Sequence, residues 1–253
     1  MISQNQVKFL RSLKMGKFRD LNRVFAIEGV KMVDELINSQ FSIDRIFATR
    51  TWINSHQQTI AGGKIQIQEV SEEELKKISN LVTPNEVMAV VKYPEKLPEI
   101  EPAGDLVLIL DKIRDPGNLG TIIRTADWFG IATIFCSEDS ADIFNPKAAQ
   151  ASMGSIFRVN VFYTAVDKLL KKLGKSRHIY GTCTTGENIY DAELIFPSAV
   201  IIGNESKGIS PELMPLLTSK ISIPSGSPGA ESLNASIAAG IVMSEFRRRK
   251  RES

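Results

Sequence analysis

Three segments of this 253-residue chain are richer in glycine and polar residues than a plain scaffold requires. The first is Asp111-Lys112-Ile113-Arg114-Asp115-Pro116-Gly117-Asn118-Leu119-Gly120, which leads into a helical pattern bearing Arg124. The second is Gly203-Asn204-Glu205-Ser206-Lys207-Gly208. The third runs from Pro224 to Asn234 and includes Ser232 and Leu233. Glycines let a backbone approach a ligand closely, so these segments are candidates for a binding or active site. Several familiar chemistries are disfavoured. No G-x-G-x-x-G follows a strand. Gly203 to Gly208 has the glycine spacing of a phosphate loop, but Ile209-Ser210 stands where Lys-Ser/Thr is required. There is no G-x-S-x-G nucleophile elbow. The cysteines, Cys136 and Cys183, end apolar runs and read as buried small hydrophobes. With His56 and His178 they form no metal-ligand spacing, so no metal is expected.

The elements that must position these segments can be read from periodicity. In the second half, Leu106 to Leu110 is a continuous apolar strand, the pattern of a parallel sheet buried on both faces. Ile122, Ile123, Ala126 and Phe129 make one side of a helix that Gly130 stops. Strands follow at Ala132–Cys136, Phe157–Phe162, His178–Thr182, Ala199–Ile202 and Ile221–Ile223. Between them lie a helix capped by Asn145-Pro146, a helix with Val166, Leu169, Leu170 and Leu173 on one face, and a helix starting at Ser210-Pro211. An apolar helix from about Leu233 to Arg247 ends the series. Strands alternating with helices predict an α/β fold with a parallel sheet, and ligands in such sheets bind beyond the carboxyl ends of the strands. That is where all three segments fall.

The first half is also mixed. Val24–Ile27, Arg45–Ala48, the alternation around Ile65 and Ile67, and Val87–Val91 read as strands. Val30, Val33 and Ile37 recur at helical spacing, and Ser71-Glu72-Glu73-Glu74 is a capping box. Pro94, Pro98 and Pro102 break the pattern. The expected division is a smaller α/β domain at 1–95, a semi-rigid linker at 96–104 and a larger domain at 105–253. Hydrophobic residues are 43% and charged residues 24%, an ordinary globular mixture. No stretch of about 18 apolar residues predicts a membrane span. The start lacks a signal-peptide layout, so a cytoplasmic location is expected. Net charge is +2, but its distribution is uneven. Lys8, Arg11, Lys14, Lys17, Arg19 and Arg23 oppose Asp20 alone, with Phe9, Phe18 and Phe25 interleaved, and Arg247 to Arg251 are all basic. Such patches suit a phosphate backbone, and equally a solvated helix face and a frayed tail.

Together and in order, the three segments resemble the motifs of the SpoU/TrmH family within the SPOUT methyltransferase superfamily. The first is Asn118-x-Gly120 followed by Arg124-Thr125-Ala126; the second is Ile202-Gly203-Asn204-Glu205-x-x-Gly208; the third is Ile223-Pro224, then Ser232-Leu233-Asn234-Ala235-Ser236. The likeness covers Leu106 to about Phe246, and Leu10 to Glu28-Gly29 is more loosely similar to the family's substrate-binding domain. The stretch before Ser232 is one residue longer than the family pattern. The resemblance implies a parallel-sheet SPOUT domain with a C-terminal trefoil knot, preceded by an RNA-binding domain. It implies S-adenosylmethionine as cofactor, held near Thr182, Gly203, Asn204, Gly208, Ile223 and Leu233. It places Arg124, Asn118, Glu205, Ser232 and Asn234 in an active site shared across a homodimer. The implied activity is 2′-O-ribose methylation of RNA, ribosomal RNA of the 23S type first and transfer RNA as the near variant. A protein that kept the fold and the RNA binding but lost the chemistry is the other class.

Overall fold

The computed structural model describes residues 1–60, 65–81, 83–94, 102, 104–227, 229 and 232–252, without the side chains of 59, 251 and 252. The linker expected at 96–104 lies outside these residues except for positions 102 and 104. The chain divides into two compact units, residues 1–97 with Phe144–Phe157, and residues 98–143 with Arg158–Ser253.

The first unit opens with α1 (Gln4–Ser12), started by a capping box in which Ser3 and Gln6 satisfy each other's backbone amides, and α2 (Gly16–Asn22). There follow β1 (Val24–Glu28), α3 (Val30–Ile37), β2 (Ile43–Ala48), α4 (Arg50–Ser55), α5 (Gln57–Ile60), β3 (Ile67–Glu69), α6 (Glu72–Ile78) and β4 (Val87–Lys92). The sheet order is β1-β4-β2-β3, with β4 antiparallel to both neighbours and β3 parallel to β2. The capping box at Ser71 and Glu74 forms as expected. Leu10, Leu13, Val24, Ala26, Phe47, Leu75, Ile78, Met88 and Val90 make the core.

The segment Phe144–Phe157 clusters with this unit although it lies between two strands of the other. Phe144 stacks on Phe25 at 4.3 Å between ring centroids, and Phe157 meets Phe41 edge-on at 5.2 Å. Offset and edge contacts of this kind add about 1 kcal/mol each to the buried area.

The second unit holds β5 (Leu106–Leu110), α7 (Pro116–Trp128) and β6 (Thr133–Cys136). The chain then makes α8 (Pro146–Ser152), within the segment just described, and returns for β7 (Asn160–Tyr163), α9 (Val166–Leu173), β8 (His178–Asn188), β9 (Ser198–Ile202), β10 (Ser219–Ser222) and α10 (Ala235–Glu252). All six strands are parallel, in the order β10-β8-β9-β5-β6-β7. Every residue of β5 and β9 is buried. Val107 and Ile109 pack with Val166, Leu169, Leu170 and Leu213 on one side. Side chains alternate along a strand, so Leu106, Leu108 and Leu110 serve the other face. α10 packs on α7 and reaches β9.

Several expected boundaries move. Phe157 belongs to a 3-10 turn at Ser155–Phe157, and the strand starts at Asn160. The helix expected from Ser210 is 3-10, Pro211–Leu216, because Pro215 has no N–H to continue an α-helical ladder. β8 runs six residues beyond the expected Thr182, to Asn188.

Candidate active site

β5 and β9 are neighbours at the centre of the sheet. β5 leads outward one way, through α7 to β6 and β7, while β9 leads the other way, to β10. The carboxyl ends of such a pair form the crevice where strand order reverses and ligands bind. The first two polar segments leave from these two ends.

Each segment is held by its own local chemistry. Asp115 caps α7, accepting from the Asn118 amide at 2.9 Å, with Pro116 at the first helical position. That cap sets Asn118 on the first turn, facing the second segment. Asp111, 2% exposed, accepts from the Ser210 amide at 2.6 Å and so ties the end of β5 to the end of the second loop. Between Gly203 and Gly208, Asn204 and Gly208 exchange backbone hydrogen bonds of 3.1 and 2.8 Å. The two glycines are required for different reasons. Gly208 sits at φ +67°, and a Cβ on Gly203 would lie 2.3 Å from the Gly208 carbonyl carbon.

These brackets bring four of the five expected catalytic residues together. Asn118 Nδ2 donates to Glu205 Oε1 at 2.5 Å. Asn234 Nδ2 donates to Asn118 Oδ1 at 3.0 Å. Ser232 Oγ donates to the Glu205 carbonyl at 3.2 Å. Asn204 Nδ2 donates to the Lys112 carbonyl at 3.1 Å and to Glu205 Oε2 at 3.4 Å. Arg124 stands apart. It lies six residues beyond Asn118 on α7, about 9 Å along the axis and roughly a third of a turn round it. It is exposed, and among the described residues it has no hydrogen bond or ion pair. Asp127, its natural helix partner, is taken by Arg158 Nη2 at 2.7 Å.

The positions expected to hold the cofactor line the same end of the sheet. Thr182 Oγ1 donates to the Ile201 carbonyl at 2.9 Å, beside Gly203. Residues 182–186 leave the β8–β10 ladder as a wide bulge, since Lys220 pairs with Gly181 and Ile221 with Glu187. Gly186 permits this, because a Cβ there would lie 2.6 Å from the Ile221 carbonyl carbon. Among the described residues, the backbone groups of Gly203, Ile223 and Leu233 find no hydrogen-bond partner. Unpaired amides and carbonyls at strand ends are the donor set that an adenosine and an amino-acid moiety require, so these residues fit S-adenosylmethionine. Of the longer stretch before Ser232, positions 228, 230 and 231 lie outside the described residues. Burial pushes the thiols of Cys136 and Cys183 up, against Lys220 in the second case, so neither is a thiolate at neutral pH.

The two basic runs differ from their sequence reading. Lys8, Arg11, Lys14, Lys17 and Arg23 are exposed on or beside α1 and α2. Arg11 Nε donates to the Lys77 carbonyl at 2.7 Å, Lys17 lies over the Phe18 ring, and Arg23 lies over Tyr93. Arg19 is the exception. It is 2% exposed, and its Nη1 donates to the carbonyls of Leu13 and Lys14 at 2.8 and 2.9 Å. Its charge is spent on the end of α1, so it offers nothing to a phosphate. In the far run, the four described side chains, Arg247 to Lys250, all have partners within the same unit. Arg247 donates to Phe129, Gly130 and Asp105, Arg248 and Arg249 pair with Glu245, and Lys250 pairs with Asp105.

Residues 105–244 match the SpoU rRNA methylase family, and residues 4–89 match the MRM3-like substrate binding domain. RlmP of Bacillus subtilis, named as a 23S rRNA (guanosine(2553)-2′-O)-methyltransferase, is 31% identical over 97% of each chain. A TrmH-family structure from Porphyromonas gingivalis is 38% identical, with a TM-score of 0.86 over 98% of this chain and 99% of the other. An AdoMet-bound rRNA methyltransferase from Sinorhizobium meliloti, 28% identical, has a TM-score of 0.86 over 98% and 97%. With the motifs, the sheet and the clustered polar residues in agreement, the chain belongs to the SpoU rRNA methylase family.

Proposed function

We propose that this protein methylates a ribose 2′-oxygen of ribosomal RNA of the 23S type, using S-adenosylmethionine, as a cytoplasmic homodimer. The observation that carries the reading is the contrast between a tethered carboxylate and an untethered arginine. Glu205 is fixed by amides on both oxygens at the strand-order switch; Arg124 is exposed and has no partner among the described residues.

When bound, S-adenosylmethionine supplies an electrophilic methyl on a sulfonium and departs as a neutral thioether. The protein's residues do the rest. The ribose hydroxyl must lose its proton as its oxygen attacks. Arginine stays protonated at neutral pH, so Arg124 grips the neighbouring phosphate and steadies charge developing on the oxygen. Glu205 is the carboxylate of the cluster, and its Oε2, held only by a long contact, accepts the proton. Gly203, Ile223 and Leu233 hold the cofactor through backbone groups beside Thr182. Residues 1–95, with Lys8, Arg11, Lys14, Lys17 and Arg23, grip structured RNA through phosphates and shape.

The same contrast supports the dimer. Arg124 is exposed and, among the described residues, makes no contact with the Glu205 cluster of its own chain, so a second copy would supply the arginine. Trp128 is 85% exposed and Ile237 53%, on the packed helices α7 and α10, which gives such a copy an apolar surface to cover. The reading includes a C-terminal trefoil knot. It is supported by the return of the chain from the sheet edge at β10 to α7, and by the meeting of the second and third segments at Ser232 and Glu205.

The test is methyl transfer from labelled S-adenosylmethionine to undermodified ribosomal RNA and transfer RNA in separate reactions, with the products mapped for 2′-O-methylation. Label on a 2′-oxygen of ribosomal RNA is expected. Transfer to transfer RNA alone would overturn the substrate, and no transfer despite cofactor and RNA binding would overturn the activity.

A further inference from the structure

An asparagine amide has an acceptor end and a donor end, and its rotation is set by its partners. Two asparagines of the site have that choice removed by a helix. The Asn234 carbonyl accepts from the Ala238 amide at 2.9 Å, the first bond of α10, so Asn234 is its N-cap. Its Oδ1 accepts from the Ser236 amide at 3.0 Å, the Ser236 hydroxyl at 2.6 Å and the Ile237 amide at 3.4 Å. Backbone amides only donate, so Oδ1 must face the helix and Nδ2 must face away. There it donates to Asn118 Oδ1 at 3.0 Å. Asn118 is then fixed in turn. Its acceptor end is occupied, and its Nδ2 donates to Glu205 Oε1 at 2.5 Å. A carboxylate only accepts, so the chain of donors ends at Glu205 and cannot run backwards.

We propose that Asn234 is a positioning residue: by capping α10 it sets the rotation of Asn118, which holds the Glu205 carboxylate in its working orientation. It acts on turnover without touching the substrate. The proposal rests on the reading that Glu205 serves methyl transfer.

The test uses the near-equality of asparagine, aspartate and serine as N-caps. Asn234→Asp keeps the cap but turns an oxygen toward Asn118 Oδ1. Asn118 must rotate to donate to it, and then presents its own oxygen to Glu205, which is repelled. Asn234→Ser keeps the cap and is too short to reach Asn118, so nothing is reversed. All proteins are assayed as the full chain with labelled S-adenosylmethionine and RNA, beside thermal melting and a Glu205→Gln control. The relay predicts unchanged melting for both variants. It predicts kcat lower by about 10²-fold in Asn234→Asp, the loss typical of one aligned hydrogen bond at a reacting group, with KM for the cofactor near wild type. Asn234→Ser should lose clearly less. Equal kcat in the two variants, alongside an inactive Glu205→Gln, would overturn the relay and leave Asn234 as a cap alone. A melting point lowered by more than about 5 °C in Asn234→Asp would overturn it too, because the carboxylate would then have failed as a cap. An active Glu205→Gln would instead remove Glu205 from the reaction, and with it the function on which the relay depends.

Discussion

The basic runs at Lys8–Arg23 and Arg247–Lys250 are alike in composition and opposite in employment. Around α1 and α2 five cations face outward, and only Arg19 turns in. On α10 all four turn to partners in the same unit. Arg247 satisfies the carbonyls of Phe129 and Gly130 at the end of α7 and pairs with Asp105 at the start of β5. The difference teaches that composition alone does not say whether a run of positive charge is free to meet a phosphate; the fold decides which cations it spends on its own anions and carbonyls. Arg124 and Arg247 make the same point on packed helices. One guanidinium is unpartnered among the described residues, and the other is saturated.

The largest effect should come from the unpartnered arginine. Arg124→Ala is expected to lose at least about 10²-fold in kcat, the scale of a lost charge-stabilising donor, with melting and cofactor binding unchanged. Retained turnover in the labelled-methyl assay would remove Arg124 from the site. Arg247→Ala should do the reverse. It leaves Asp105 with Lys250 alone and strips the end of α7 of its donors, and should cost about 2 kcal/mol in urea unfolding, the scale of hydrogen bonds to a charged group. A cost near zero would return the C-terminal run to the status of a solvated tail.

Asp105 sharpens this through pH. Burial alone would raise its pKa, but hydrogen bonds from Lys250 and Arg247 outweigh burial and bring it from 3.8 to about 2. The folded value is the lower one, so its contribution is complete above about pH 5 and fades as pH falls through 4 toward 2. By linkage it is worth about 2 kcal/mol at neutral pH. The stability gap between wild type and Asp105→Asn should therefore shrink on acidification; a gap constant from pH 7 to 3 would contradict the ion pair. The smallest effect belongs to the outward cations. Replacing Lys8, Lys14 and Lys17 together by alanine should leave melting unchanged and reduce the salt slope of RNA binding by about 2. Arg19→Ala should instead lower stability, and an unchanged melting point there would sink its structural assignment.

These contrasts also mark what the sequence could convey. The second sheet was legible because runs such as Leu106–Leu110 are apolar on both faces, and the caps at Ser71 and Asn145 because their chemistry is local. The same logic would have found Asp115-Pro116 as the cap of α7. The gathering of Asn118, Glu205, Ser232 and Asn234 was legible only as three motifs in order; no spacing reveals that Asn234 reaches Asn118. Arg19 was misread because composition carries charge and not direction. The placement of Phe144–Phe157 with the first unit was missed because it rests on ring contacts between residues more than 100 positions apart, such as Phe144 and Phe25. The length of β8 was missed because Thr182 to Gly186 is polar, glycine-ended and bulged.

The separations within the second unit carry a consequence for how it comes into being. β5 is its first strand, yet its partner β9 follows about 90 residues later, the Asn118–Asn234 bond spans 116 positions and the Arg247–Asp105 pair spans 142. Such distant pairings make for slow assembly. A ribosome makes α10 last of these elements, so a growing or shortened chain can own every strand of the sheet and still lack the Asn234–Asn118 bond. On the relay proposed above, competence to modify RNA would wait for α10, the last of these elements to be made.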